Sequence, residues 1–365
     1  MKIGILTFHR CINYGSYWQA RCLVEAIQTI GYQAVILDHV SRRVNVAEWK
    51  CALQPTLPTP VPAADHALYR EKMQRFFTRF NTLPLSPSFP LEEPEQMEYY
   101  DLIIVGSDEV WNLSHPWYGE CPLFYGDGLR APYIISYAAS FGNYNSEHGL
   151  DHKWANKLQN FNKISVRDIN SQQIIKNALG ITPSIVLDPC LQFSIKTEQK
   201  YYNHLPEHYI AVYGHNFSDY FINHIQQFAK AKQLPLISIG YRNDWADMQW
   251  LTADPIDFTN FIAQSESVTT NFFHGCVFSL IYKKPFVCET SPYRSIKVQD
   301  LMQQLGGEKH LVDVTTSAGE YHNRLSKPLD PDIFQQIERL QEKSNTYLNH
   351  ALTLKSDHSH ETTII

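Results

Sequence analysis

Four short segments of this chain carry residue types that can act on an anionic or hydroxylated ligand. The first, His9-Arg10-Cys11-Ile12-Asn13-Tyr14-Gly15-Ser16, follows an apolar run. Asn13, Gly15 and Ser16 suit a tight turn and a helix N-cap, which leaves backbone N–H groups free to meet a ligand. The same residues would also serve a loop that only caps its helix. The second, Gly106-Ser107-Asp108-Glu109-Val110-Trp111-Asn112, sets an acid after small residues. Asp108 can work as a base or accept from a hydroxyl; equally, Ser107 or Asp108 can be a plain N-cap. The third is Arg167-Asp168. An Arg fork suits phosphate or carboxylate, and the alternative is a structural pair of Arg167 with Asp168 or Asp188. The fourth, Thr269-Thr270-Asn271-Phe272-Phe273-His274-Gly275, closes an apolar strand and opens a helix. His274 then stands at a helix N-terminus, where free N–H groups and the helix dipole favour a bound anion. The dipole disfavours imidazolium, but a bound phosphate would raise its pKa. A lone histidine is more often structural; this one is set apart by its place between aromatics and a glycine at a strand-to-helix turn. Arg294 precedes the next helix and can aim at the same point. No G-x-G-x-x-G follows the first strand, which argues against the usual dinucleotide-binding turn.

These segments need a scaffold that brings them together, and the periodicity supplies one. Lys2 to Phe8 reads as a buried strand, and Ser16 to Gly31 as a helix with apolar residues at Ala20, Leu23, Val24, Ile27 and Ile30. Gln33 to Asp38 is a second strand. This βαβ unit predicts a parallel sheet covered on both faces. Strands resume at Asp101–Val105, Tyr133–Ser136, Lys163–Val166 and Ser184–Leu187. A second αβ series runs from Tyr209 to Leu305. The fold class is therefore α/β, with two Rossmann-like lobes facing a cleft and ligands at the carboxyl ends of the strands. The expected domains are 1–195, carrying a proline-rich insertion at about 52–95, then 205–330, a C-terminal helix over 331–354 and a disordered tail over 355–365. Within the insertion only Tyr69 to Phe80 reads as a helix; the prolines at 55, 58, 60, 62, 84, 87, 90 and 94 predict irregular surface chain around it.

Composition narrows the function classes. The chain has 365 residues, enough for about two domains. A formal net charge of −6, without a Lys/Arg block, argues against a general nucleic-acid binder. The seven cysteines are scattered singly, which excludes a C-x-x-C zinc site and fits a reducing compartment. No stretch approaches ~18 uninterrupted apolar residues, so no transmembrane segment is expected, and no secretory signal is read at Met1-Lys2.

In order, G-I-L-T-F-H at Gly4–His9, N-Y-G at Asn13–Gly15 with Gln19, I-V-G-S-D-E-V-W at Ile104–Trp111, S-Y-A-A-S-F-G at Ser136–Gly142, S-V-R-D at Ser165–Asp168, V-L-D-P at Val186–Pro189, T-N-F-F-H-G-C-V-F-S at Thr270–Ser279 and K-K-P-F at Lys283–Phe286 resemble the polysaccharide pyruvyl transferases. The family usually has Ser where Phe272 stands. The resemblance implies a glycosyltransferase-B-like fold and transfer of a pyruvyl group from phosphoenolpyruvate to two hydroxyls of a sugar, forming a cyclic ketal. It also implies a cytoplasmic protein, peripheral at the inner face of the membrane if its acceptor is a lipid-linked oligosaccharide. No cofactor and no metal are expected. His274, Arg167 and Asp108 are the expected catalytic groups, with Arg167, His274, Gly275 and Arg294 on the donor. His9, Asn13, Tyr14, Gly15, Ser16, Ser107 and Trp111 are expected on the acceptor side, Tyr14 and Trp111 by stacking on the sugar. The competing readings are a nucleotide-sugar glycosyltransferase, with Glu289 as its ribose acid, and a non-catalytic glycan or sugar-phosphate binder.

Overall fold

The computed structural model describes residues 1–290 and 295–353. Arg294 and the expected tail at 355–365 lie outside them.

In chain order the first lobe has β1 (Lys2–Leu6), α1 (Tyr14–Thr29), β2 (Gln33–Ile36), β3 (His39–Val40), α2 (Arg42–Leu53), α3 (His66–Phe80), β4 (Phe89–Pro90), β5 (Leu102–Val105), β6 (Tyr133–Ser136), α4 (His152–Leu158), β7 (Ser165–Val166), α5 (Ile169–Leu179), β8 (Ser184–Ile185) and α6 (Pro189–Gln192). The second has β9 (Ile210–Tyr213), α7 (Asp219–Lys232), β10 (Leu236–Ile239), β11 (Met248–Trp250), α8 (Pro255–Gln264), β12 (Ser267–Thr270), α9 (Phe273–Ile281), β13 (Phe286–Glu289), α10 (Ser295–Leu305), β14 (Leu311–Val312), α11 (Ala318–Ser326) and α12 (Pro331–Leu352).

The first lobe's central sheet is parallel in the order β2-β1-β5-β6, with Ile3 opposite both Ala34 and Leu102. Single bridges from Ile135 to Lys163 and from Ala139 to Val166 attach the β7–β8 pair at its edge. The second sheet is parallel in the order β11-β10-β9-β12-β13-β14. Numbered within its own lobe this is 3-2-1-4-5-6, the doubly wound order, whose ligand crevice lies where the order reverses. In the first lobe that point falls between β1 and β5, and in the second between β9 and β12. Ile3, Ile5, Ile103 and Ile104 are wholly buried, as are Ala211, Val212 and Val268, as strands covered on both faces require. The architecture is α/β, two Rossmann-like lobes each built on a parallel sheet.

The proline-rich excursion differs from its expected form. A helix not expected from the sequence, α2, starts at Ser41, whose side chain accepts from Val44 N–H. It pairs with α3, which begins three residues before Tyr69. Helix α3 and the residue before it also reach the opposite lobe. Arg75 bonds Asp257 at 2.5 Å, Arg79 bonds Asp254 at 2.9 Å, and Arg242 returns to Asp65 at 2.9 Å. Lys72 Nζ donates to Gly240 O at 2.9 Å. The excursion is thus a clamp between lobes. A second tie is α12, which crosses back to the first lobe. Ser344 Oγ accepts from Leu187 N–H at 3.0 Å, and Tyr347 donates to Ser136 O at 2.8 Å.

Candidate active site

The four loops after β1, β5, β9 and β12 converge on one cleft of about 470 Å³. Asn13 and Ser16 line it after β1, and Asp108 and Glu109 after β5. Tyr213 and His215 line it from β9 and its loop, and Phe272, Phe273 and His274 after β12. Arg167 enters from the loop after β7.

His274, Arg167 and Asp188 form its buried centre. Arg167 Nη1 bonds Asp188 Oδ2 at 2.9 Å, and His274 Nε2 lies 3.6 Å from the same oxygen. Burial alone would raise the Asp188 carboxyl. His274, 3.6 Å away, and the charge of Arg167 outweigh it and hold the group well below the usual carboxylate range. Asp188 therefore stays ionised and orients both side chains. Arg167 Nε and His274 Nε2 are buried without a hydrogen-bond partner, and the guanidinium lies 4.5 Å from the centre of the Phe273 ring. The opposite lobe presses on His274 from behind. A Cβ built on Gly15 would fall 1.9 Å from His274 Nδ1, so only a glycine lets α1 pass this close.

Helix α9 opens at Phe272, which offers no side-chain cap. Its first N–H groups, at Phe273 and His274, therefore have no side-chain acceptor and stand at the cleft. A serine in place of Phe272 is the residue type that caps such an end. The Phe272 ring instead packs on Tyr213, Tyr241 and His215 at 4.9, 5.5 and 5.4 Å.

Asp108, with a left-handed φ of 80°, accepts from Ser16 Oγ at 2.7 Å and from Glu109 N–H at 2.8 Å. Arg167 Nη2 stands 3.9 Å from it. Asn13 caps α1 through Ser16 N–H and still faces the cleft. Gly275 sits in the first turn of α9 with its Cα tight against Thr270.

Four expected cleft residues lie elsewhere. His9 is fully buried against Asp38 at 2.9 Å, behind the wall. Ser107 is fully buried on Gln19. Trp111 is core, its indole N–H on Phe124 O at 2.8 Å. Tyr14 packs flat on Phe258 at 4.5 Å and donates to Ala253 O, joining the lobes. Large aromatics beside ligand loops were drawn into the interior, where their polar atoms found backbone partners.

The cleft also holds residues that sequence reasoning passed over. Lys297 of α10 bonds Glu109 at 2.9 Å. Burial would raise Glu109, but Lys297 and His115 bring it down to about 2. From the excursion come Glu48, Lys72 and Tyr69. Burial pushes the Lys72 ammonium down to about 7, against the pull of Cys51 and Glu48. Burial likewise pushes Glu48 up to about 7, held back by Ile12 N–H, Lys72 and Trp117. Among the described residues, Asp188, Cys190 and His274 bring ligand atoms within 4.8 Å of one another, the one group there able to hold a metal. Arg167 already occupies Asp188, and burial keeps the Cys190 thiol protonated by raising it well above its usual range. Glu289, the candidate ribose acid, is taken up by Ser218 N–H and Oγ at the start of α7. Among the described residues, no helix is long and apolar enough to cross a membrane.

A family model described as polysaccharide pyruvyl transferase matches residues 13–291. No curated protein matches the chain in sequence. Among solved structures, the UDP-GlcNAc 2-epimerase of Methanocaldococcus jannaschii superposes with a TM-score of 0.49 at 11% identity, covering 95% of this chain and 100% of its own. The corresponding enzyme of Neisseria meningitidis gives 0.48 at 8% identity, covering 94% of each chain. The ADP-heptose lps heptosyltransferase II of E. coli gives 0.39 at 12% identity, covering 94% of this chain and 100% of its own.

Proposed function

Because the chain belongs to the polysaccharide pyruvyl transferase family, we propose that its cleft transfers the pyruvyl group of phosphoenolpyruvate to two hydroxyls of one sugar. The observation that carries this is the uncapped start of α9 beside Arg167 and His274, whose buried Nε and Nε2 atoms have no partner. Helix N–H groups and a guanidinium edge are what a phosphate with a neighbouring carboxylate requires.

The chemistry follows from the donor. The vinyl methylene takes a proton and leaves positive charge on C2. One sugar hydroxyl adds there and gives up its proton. The second adds as phosphate leaves, closing the ketal. One hydroxyl proton is balanced by the new methyl and the other by the released phosphate. Arg167 and the α9 N–H groups hold the anion, and His274 hands a proton to the departing phosphate oxygen. Asp188 keeps both side chains in place, and Asp108 holds Ser16 and the β1 loop against the cleft. Acid–base groups and fixed charge carry each step, so the proposal calls for no cofactor. The acceptor is a polysaccharide unit or a lipid-linked precursor, and the working place is the cytoplasm or the inner membrane face.

The test is thermal denaturation with phosphoenolpyruvate against UDP- and GDP-sugars. Ligand at ~100 times its dissociation constant adds about 2.7 kcal/mol, a clear upward shift. A shift with phosphoenolpyruvate alone is expected; a shift with nucleotide sugars and none with phosphoenolpyruvate would reverse the assignment.

A further inference from the structure

We infer that Glu48 and Trp117 form a binding site for a hydroxyl of the saccharide acceptor. The inference rests on the acceptor being a sugar, as proposed above, and locates where one of its hydroxyls is held.

Glu48 lies on α2 with 9% of its surface exposed and lines the cleft. One carboxyl oxygen, Oε1, is fixed by Ile12 N–H at 2.7 Å. The other, Oε2, is buried with no hydrogen-bond partner. Trp117 lines the same cleft, and its indole Nε1 is also buried without a partner. The indole is near enough to pull the Glu48 pKa down, yet outside the geometry of a direct hydrogen bond. Neither group is placed by accident of a loose loop. Arg43, on the same helix as Glu48, donates to Trp117 O at 2.8 Å. His115 Nδ1 accepts from Trp117 N–H and Tyr118 N–H at 3.4 and 3.1 Å. Helix and loop are therefore pinned to each other with two unmet polar atoms between them.

The chemistry of the two atoms selects the ligand. An indole N–H only donates. A group between them must accept from Trp117 and is best placed if it also donates to Glu48. With Glu48 ionised, a hydroxyl does both, whereas a phosphate or carboxylate would meet the carboxylate's lone pairs and an ammonium would meet the indole N–H. The site is on the same cleft as Arg167 and His274 but on the excursion's wall, so donor and acceptor would enter from different elements.

The variants Glu48→Gln and Trp117→Phe test this. In Glu48→Gln the Ile12 N–H demands the amide oxygen at Oε1, which leaves an NH2 facing the indole N–H, so the hydroxyl's own proton loses its acceptor. Trp117→Phe keeps most of the ring and removes the N–H. The full chain is titrated with methyl glucopyranoside, methyl galactopyranoside and methyl mannopyranoside, and binding is read by saturation-transfer NMR. At least one glycoside should bind the native protein, and each variant should weaken it about ten-fold or more, the scale set by one unpaired buried group. Melting temperature is recorded throughout; if Glu48→Gln is destabilised, Trp117→Phe decides. Undiminished binding in folded variants overturns the inference, and so does no binding of any glycoside, which would mean the two atoms serve a buried water only. Phosphoenolpyruvate stabilisation is measured alongside. If it is absent while glycoside binding depends on both residues, the donor assignment fails and the hydroxyl site stands. If phosphoenolpyruvate stabilises the protein while glycoside binding ignores both residues, the donor assignment stands and the hydroxyl site fails.

Discussion

Replacing Gly15 by alanine should silence the chemistry while leaving the fold in place. The added Cβ would lie 1.9 Å from His274 Nδ1. An ordinary contact of ~3.5 Å would return only if the ring moved about 1.5 Å. Misplacing a reacting group by ~1 Å costs about 10²-fold, so turnover should fall by at least that much. Stability pulls the other way. Gly15 is the second residue of α1, and alanine is favoured over glycine within a helix by up to about 1 kcal/mol. That gain offsets part of the strain, so the melting temperature should change little. The assay is phosphate release from phosphoenolpyruvate with acceptor, reported per folded molecule, with a melting curve on the same sample. Gly319→Ala is the control. Its site on α11 is open, so it should gain stability and keep full turnover. Native turnover in a folded Gly15→Ala protein would refute the placement of His274 in the reaction.

Three further outcomes are expected. Arg167→Lys should weaken phosphoenolpyruvate binding, read as loss of the thermal shift, because one ammonium cannot reproduce the two-pronged contact of a planar guanidinium; native donor affinity would mean that Arg167 is only Asp188's structural partner. His274→Asn should fold normally and lose about 10²–10⁴-fold in turnover, the span of a general acid; a lower melting temperature with normal turnover would make it structural. Lys72 titrates near 7 in the fold and at 10.5 when unfolded, so the unfolded chain binds the extra proton between those values and Lys72's penalty is relieved as pH rises. Native stability minus that of Lys72→Met should thus climb by about 1.4 kcal/mol per pH unit from pH 7 towards 10.5, measured by denaturant melts; a flat difference would show that Lys72 is not desolvated.

Much of the fold was legible because buried parallel strands are continuous apolar runs. Lys2 to Phe8, Asp101–Val105 and Tyr133–Ser136 reappear within a few residues of their expected bounds. The loops after them were legible for the same reason, since a doubly wound sheet dictates which strand ends face ligand. Helix α2 was not. Its apolar residues Val44, Val46, Trp49 and Leu53 make a poor stripe, and Val46 and Trp49 remain exposed. Without α2, nothing in the sequence turned Glu48 or Lys72 toward a cleft. Trp111 and Tyr14 erred the other way. Their position beside ligand loops was read as exposure, but the interior took their volume because Phe124 O and Ala253 O could satisfy their polar atoms. His9 was likewise claimed by Asp38, which lies just beyond the end of β2, a pairing that only the sheet order reveals.

On the proposed function, the electrostatics of the cleft give a chain of net charge −6 a way to hold a multiply charged donor without a basic patch. Each cation at its centre is already matched. Arg167 sits on Asp188, and Lys297 on Glu109. An anion entering there gains little from net charge. It gains from directed donors that the protein leaves unsatisfied: Arg167 Nε, His274 Nε2 and the first N–H groups of α9. Such donors are fixed before the ligand arrives, so they cost little reorganisation when charge shifts onto phosphate. Phe272 belongs to the same arrangement. A serine there would cap α9 with its own hydroxyl; phenylalanine cannot, and its ring, held by Tyr213, Tyr241 and His215, keeps the loop in place while the N–H groups stay open to ligand. Phe272→Ser would take up one of these N–H groups as a side-chain cap, as the serine usual in the family does, and leave the others of the first turn to the ligand.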